Sequence, residues 1–185
     1  SVAWHRDGVT HWDSPDWDQG THGFNMMAQI YGCGPENGVW VVVGSHKQRT
    51  VDIAAMAELA GSDRLPDAVP LVCAAGDVAV VNRQAIHGSF PNTSTEPRVT
   101  LNLGFHRRAS VLGAMGSGIH GVVGELDEDR IVKRSEMIGW AIAARHERYP
   151  DEPSFDYQPL QDRDFEWNEN ARAEIHDYSL LDLSI

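Results

Sequence analysis

At 185 residues the chain has the length of one domain, enough to bury a core without disulfides or a structural metal. Its composition, 42% hydrophobic and 23% charged, includes no apolar run near the roughly 20 residues a membrane span needs. The 27 acidic and 15 basic residues give a net charge of -12, which repels phosphate backbones and anionic lipid and so excludes nucleic acid and membrane surfaces as partners.

The first residues, Ser1-Val2-Ala3-Trp4-His5-Arg6-Asp7-Gly8, do not read as a basic-then-apolar leader. On an extended segment, residues two apart project from one face, so His5 and Asp7 point together and Arg6 points to the opposite, structural side. One imidazole and one carboxylate are two members of the two-histidine, one-carboxylate triad of non-haem iron, although HxD alone is equally a solvated turn. Residues 9–23 form a polar stretch carrying Trp12 and Trp17, long enough for a lid. Residues 24–31 read as a strand whose Asn25, Met27, Gln29 and Tyr31 share a face, and residues 39–43 as a second strand after the turn Pro35-Glu36-Asn37-Gly38. A helix covers residues 51–60 and ends at Gly61-Ser62. Strands at 69–73 and 78–82 flank Gly76-Asp77, and residues 98–106 alternate along their length. Short strands at this spacing predict a sandwich or barrel. Cys33 and Cys73 lack CxxC spacing and fit reduced thiols in a cytoplasmic setting.

The texture changes near residue 108. A glycine-rich connector, 113–124, leads into a helix starting near Asp127. Asp127, Glu128 and Asp129 suit its positive end, Arg145, His146 and Arg148 suit its negative end, and Pro150 stops it. Ile131, Ile138, Ala141, Ile142 and Arg145 make a largely apolar stripe that should pack on the β core. The acidic, aromatic tail 151–185 ends in a segment, 178–183, suited to docking.

A second histidine comes from Gln84-Ala85-Ile86-His87-Gly88-Ser89, after a buried-looking strand. Eleven residues beyond His87 stands Arg98, which shares a strand face with Thr100 and Asn102, between the apolar Val99, Leu101 and Leu103. A cation and a hydroxyl on one face of a β core are costly to bury without an anion. A dicarboxylate would supply it, because guanidinium holds carboxylate through two parallel hydrogen bonds. Ser89 and Thr100 read equally well as groups that satisfy backbone. His11, His22, His46, His106, His120, His146 and His176 have no place in the triad and suit surface or capping roles.

Trp4-His5-x-Asp7-Gly8, then Glu36-Asn37-Gly38 with Gly44-Ser45-His46-Lys47, then His87-Gly88-Ser89 with Pro91-Asn92-x-Ser94, and Arg98-x-Thr100, resemble the phytanoyl-CoA dioxygenase family in order over about residues 3 to 108. The resemblance implies a mainly β fold with flanking helices, a double-stranded β-helix of the jelly-roll, cupin-like kind. Residues 1–108 would form its core, and 109–185 a helical extension packed on that core in the same domain. It implies hydroxylation of an unactivated C–H bond of a small molecule, using O2 and 2-oxoglutarate and releasing succinate and CO2. It further implies Fe(II) on His5, Asp7 and His87, the distal carboxylate of 2-oxoglutarate on Arg98 with Thr100, and Ser89 near the cosubstrate, with no catalytic residue beyond the metal ligands. Val43 departs from the family's usual proline, which should alter a loop and not the chemistry. The carboxylate of Asp7 favours hydroxylation, since related halogenases vacate that position for halide. A substantial segment precedes the HxD strand in the family, so the chain is expected to lack an N-terminal portion of a protein of roughly 280 residues. Two alternatives are a cupin-like metal-binding or regulatory barrel without oxygenase activity, and a zinc hydrolase on the same ligands. The spacing of Arg98 from His87 argues against the first, since a simple metal barrel needs no anion clamp, and the lack of an evident general base against the second.

Overall fold

The computed structural model describes residues 2–7, 20–117 and 123–183. It divides into two compact units, Ser1–Val111 and Leu112–Ile185.

In the first unit, β-branched and aromatic runs pair into two antiparallel sheets. One has the order β1-β6-β3-β4, built from Val2–His5, His87–Ser89, Val39–Val42 and Ala68–Pro70. The other has the order β5-β2-β7, built from Val78–Asn82, Gly23–Gln29 and Thr100–His106. Consecutive strands alternate between sheets for much of the chain, which is the connectivity of a double-stranded β-helix. Strand β2 buries Gly23, Asn25, Met27 and Gln29 on one face. Its other face leaves Phe24 exposed, stacked on Phe105 at 5.0 Å between ring centroids.

The apolar core of this unit gathers Val42, Leu65 and Ile86 with Trp4 and the inner face of helix α1, Ile53–Ala60, through Ile53, Met56, Ala57 and Ala60. Asp52 caps α1 by accepting from the Ala55 amide at 2.9 Å, and Gly61 closes it in the left-handed conformation, φ 59°. Cys33 and Cys73 face each other across an antiparallel bridge, and both are thiols. A short helix α2, Arg108–Val111, ends the unit.

The second unit begins with a hairpin of β8, Met115–Ser117, and β9, Val123–Glu125, where the sequence suggests only a glycine-rich connector. Helix α3 runs Glu128–Arg148 with Asp127 as its cap, close to the span its charges predict. The tail holds a helix α4, Glu169–Leu183, that no periodic apolar stripe announced. No helix among the described residues is long and apolar enough to cross a membrane.

Two local expectations change. Strand β2 stops at Gln29, leaving Tyr31 46% exposed and off the buried face that Asn25, Met27 and Gln29 share. His22 is buried against Ser110 Oγ at 2.7 Å and is not a surface residue. The stretch with Trp12 and Trp17, read as a lid, lies outside the described residues.

Candidate metal centre

Antiparallel pairing of β1 with β6 sets His5 opposite His87. Their ring centroids are 4.3 Å apart. Asp7 lies past the end of β1, so strand alternation does not bring it to His5; its backbone amide donates to the Arg83 carbonyl at 3.0 Å. The turn after β3 anchors both ligand-bearing segments. Gly44 takes a left-handed φ of 78° that permits the turn. Ser45 Oγ then donates to the Val42 carbonyl at 2.6 Å and accepts the Ile86 amide at 2.8 Å, one residue before His87. From the other segment, Arg6 donates to the carbonyls of Ser45 at 2.6 Å and Gln48 at 2.9 Å. Val43 is 71% exposed beside this turn.

The three side chains converge. His5 Nε2 stands 3.2 Å from Asp7 Oδ1, and His87 Nε2 stands 3.5 Å from Asp7 Oδ2. One ligand atom from each lies within 4.8 Å of the others, and among the described residues this is the one group of His, Cys, Asp and Glu so placed. Each imidazole is oriented from behind: His5 Nδ1 meets the Ala3 carbonyl at 2.8 Å, and His87 Nδ1 the Ala85 carbonyl at 3.0 Å. A carbonyl only accepts, so Nδ1 carries the hydrogen, and in the neutral ring Nε2 presents a lone pair to the centre.

Burial alone would raise the Asp7 carboxyl, but hydrogen bonds from His5 and Asn25 and the charges of His87 and Arg83 hold it well below the usual carboxylate range. The hydrogen bond to Asp7 raises His5 above the ordinary imidazole value, outweighing its burial. His87 is more buried, and that burial lowers it despite the Ala85 hydrogen bond and the Asp7 charge.

Residues 1–100 match the family model described as phytanoyl-CoA dioxygenase (PhyH). The chain belongs to this family. Among solved structures it is similar to EvdMO1, at 30% identity and a TM-score of 0.44, over 57% of this chain and 23% of that one. It is similar to AviO1 from Streptomyces viridochromogenes Tue57, at 27% identity and a TM-score of 0.45, over 59% of this chain and 44% of that one. It is also similar to HygX from Streptomyces hygroscopicus with nickel, 2-oxoglutarate and hygromycin B bound, at 16% identity and a TM-score of 0.44, over 57% of this chain and 49% of that one. The chain thus spans less than half the length of each of these three. No curated protein matches it.

The Glu36-Asn37-Gly38 turn and the Pro91-Asn92 loop act as braces. Asn37 Oδ1 accepts from the Gly34 amide at 2.9 Å, and Gly38 fits against the carbonyls of Gly34 and Leu71, where a Cβ would come within 2.6 and 2.9 Å of their oxygens. The Pro91-Asn92 loop docks on this turn through the Thr93 amide, which donates to the Glu36 carbonyl at 3.0 Å.

The residues expected to hold a cosubstrate are more dispersed. Ser89 is buried two residues beyond His87 in β6. Thr100 opens β7 opposite Gln29 and donates to Gln29 Oε1 at 2.8 Å. Arg98 lies just outside β7, half-buried, and makes no hydrogen bond or ion pair with the described residues. Asn25 and Gln29, on one face of β2, lie about 13 Å apart along the strand. The first touches Asp7 and the second Thr100. Arg83, which donates to Asn25 Oδ1 at 2.6 Å, escaped the sequence reading. Its one signal is the polar run Asn82-Arg83-Gln84 placed between a strand and a histidine.

Proposed function

We propose that this chain carries the iron and cosubstrate site of an Fe(II)- and 2-oxoglutarate-dependent dioxygenase that hydroxylates an unactivated C–H bond of a small molecule. The observation that supports this most is the donor set: two imidazole Nε2 atoms, each with its Nδ1 engaged by a backbone carbonyl, around one carboxylate. Two histidines and one carboxylate with open positions suit non-haem Fe(II), and the absence of thiolates from the group suits it better than a structural zinc site.

In this reading His5, Asp7 and His87 hold Fe(II). Arg98 takes the distal carboxylate of 2-oxoglutarate in a charge-assisted fork. Ser89 contributes a neutral hydrogen bond, and Thr100 adds one where its hydroxyl turns from Gln29 Oε1 to the carboxylate. When bound, the iron supplies the O2 chemistry that couples decarboxylation of 2-oxoglutarate, yielding succinate and CO2, to hydroxylation. The protein's part is orientation: the Ala3 and Ala85 carbonyls fix both ring tautomers, and the turn at Ser45 fixes the spacing of the two ligand segments. The net charge of -12 disfavours a polyanionic substrate such as nucleic acid, in keeping with a small molecule.

Anaerobic titration tests this. Fe(II) followed by 2-oxoglutarate should produce a weak visible charge-transfer absorption, and admitting O2 should yield succinate. Both should vanish in Asp7→Ala and His87→Ala. An unaltered absorption in those variants would remove the triad assignment.

A further inference from the structure

A carboxylate past the end of a strand can rotate about its terminal torsion, and Asp7 is partly open, its side chain 23% exposed. Here it is held from behind. Asn25 Nδ2 donates to Asp7 Oδ2 at 2.5 Å, and Arg83 Nη1 donates to Asn25 Oδ1 at 2.6 Å. The direction of this relay is unique. A guanidinium only donates and a carboxylate only accepts, so the Asn25 amide has one orientation that serves both neighbours. Asn25 is 2% exposed and cannot exchange either partner for bulk water.

The fold keeps a path open for the arginine. Gly104 stands opposite Asn25 in the β2–β7 register, and a Cβ there would overlap Arg83 Nη1. A Cβ at Gly23 would come within 3.0 Å of Arg83 Cδ. Two glycines on adjacent strands thus leave room for the arginine side chain. Arg83 also fixes Asp7 through the main chain, since its carbonyl accepts the Asp7 amide at 3.0 Å and its own amide donates to the Gly23 carbonyl at 3.1 Å.

We propose that Arg83 and Asn25 are positioning residues of the metal site, a donor relay that locks the Asp7 carboxylate and thereby sets divalent-metal affinity and coordination geometry. The proposal rests on reading His5, Asp7 and His87 as the ligands. Partners of this kind behind a ligand change metal affinity by about 10- to 100-fold when removed.

Co(II) is the probe, because its visible spectrum reports coordination geometry independently of turnover. Arg83→Met keeps an unbranched stem without donors, Asn25→Leu keeps shape without the amide, and Gly104→Ala displaces the guanidinium while leaving all three polar residues in place. Each should bind Co(II) about 10- to 100-fold more weakly than wild type and show a changed visible spectrum, with far-UV circular dichroism retained. Arg83→Lys, which still carries a donor, should recover part of the affinity. Combining Gly104→Ala with Arg83→Met should be no worse than Arg83→Met alone, because both break one link. Co(II) affinity within twofold of wild type and an unchanged spectrum in folded Arg83→Met and Gly104→Ala, with binding lost in Asp7→Ala, would overturn the relay alone. Retained binding in Asp7→Ala would instead overturn the ligand assignment beneath it.

Discussion

The backbone amide of Ile86 donates to Ser45 Oγ at 2.8 Å, in a place where Ile86 is 0% and Ser45 1% exposed. Through this bond the turn after β3 sets where β6, and with it His87, begins. Ser45→Ala leaves a buried N–H without a partner, at a cost of about 1–3 kcal/mol. The unfolding midpoint in urea should fall accordingly. Co(II) affinity should fall with it, because His87 follows Ile86 directly.

Arg98 and Thr100 stand near each other in sequence but differ in what already engages them. Thr100 donates to Gln29 Oε1, whereas Arg98 has no hydrogen bond or ion pair among the described residues. Losing a hydrogen bond to a charged group costs about 1.5–3 kcal/mol. Arg98→Ala should therefore weaken 2-oxoglutarate by about 10- to 150-fold, read from the charge-transfer absorption, without changing Co(II) affinity measured before cosubstrate is added. Arg98→Lys should fall between, since ammonium cannot form the fork. Thr100→Val should cost less than tenfold, because that hydroxyl is already committed within the protein.

His5 and His87 should titrate in opposite senses in the metal-free protein. Hydrogen bonding to Asp7 raises His5, so its contribution to stability is full below the unfolded imidazole value of about 6.5 and is lost as pH rises through its folded value. Burial lowers His87, whose side chain is only 12% exposed, so its contribution is present above about 6.5 and is lost as pH falls toward its folded value. Urea midpoints should show the gap between wild type and His5→Gln shrinking from pH 6 to 8, and the gap between wild type and His87→Gln growing from pH 5 to 7. Parallel pH profiles for the two variants would show that neither environment acts as described.

Much of this was legible because the relevant patterns are local. Strands β2, β3, β5 and β7 were readable from β-branched runs and turn residues, and α3 from its end charges and Pro150. What escaped depends on pairing between distant segments. Strand β6 is three residues long and carries no period of its own; its place comes from β1 and β3 on either side. Asp7 reaches His5 although it lies past the strand end that the HxD spacing presumed. Arg83 gains meaning only once the register puts Gly104 opposite Asn25. In the second unit, α4 lacks a well-segregated apolar face, and the β8–β9 hairpin is built on small residues that read as a connector.

Gly139, in the middle of α3, offers a test in which two effects oppose each other. Glycine inside a helix costs about 1 kcal/mol relative to alanine, so propensity alone favours Gly139→Ala. The structure opposes it: Gly139 is buried, and a Cβ there would overlap the ring of Phe165, which also packs edge-on against Trp140 with centroids 5.9 Å apart. Overpacking of this kind costs about 1–3 kcal/mol and should win. Gly139→Ala should lower the thermal midpoint followed by far-UV circular dichroism. In a Phe165→Ala background, where the ring is gone, the same substitution should raise it. Stabilisation by Gly139→Ala in both backgrounds would mean that the ring does not press on the helix at this position.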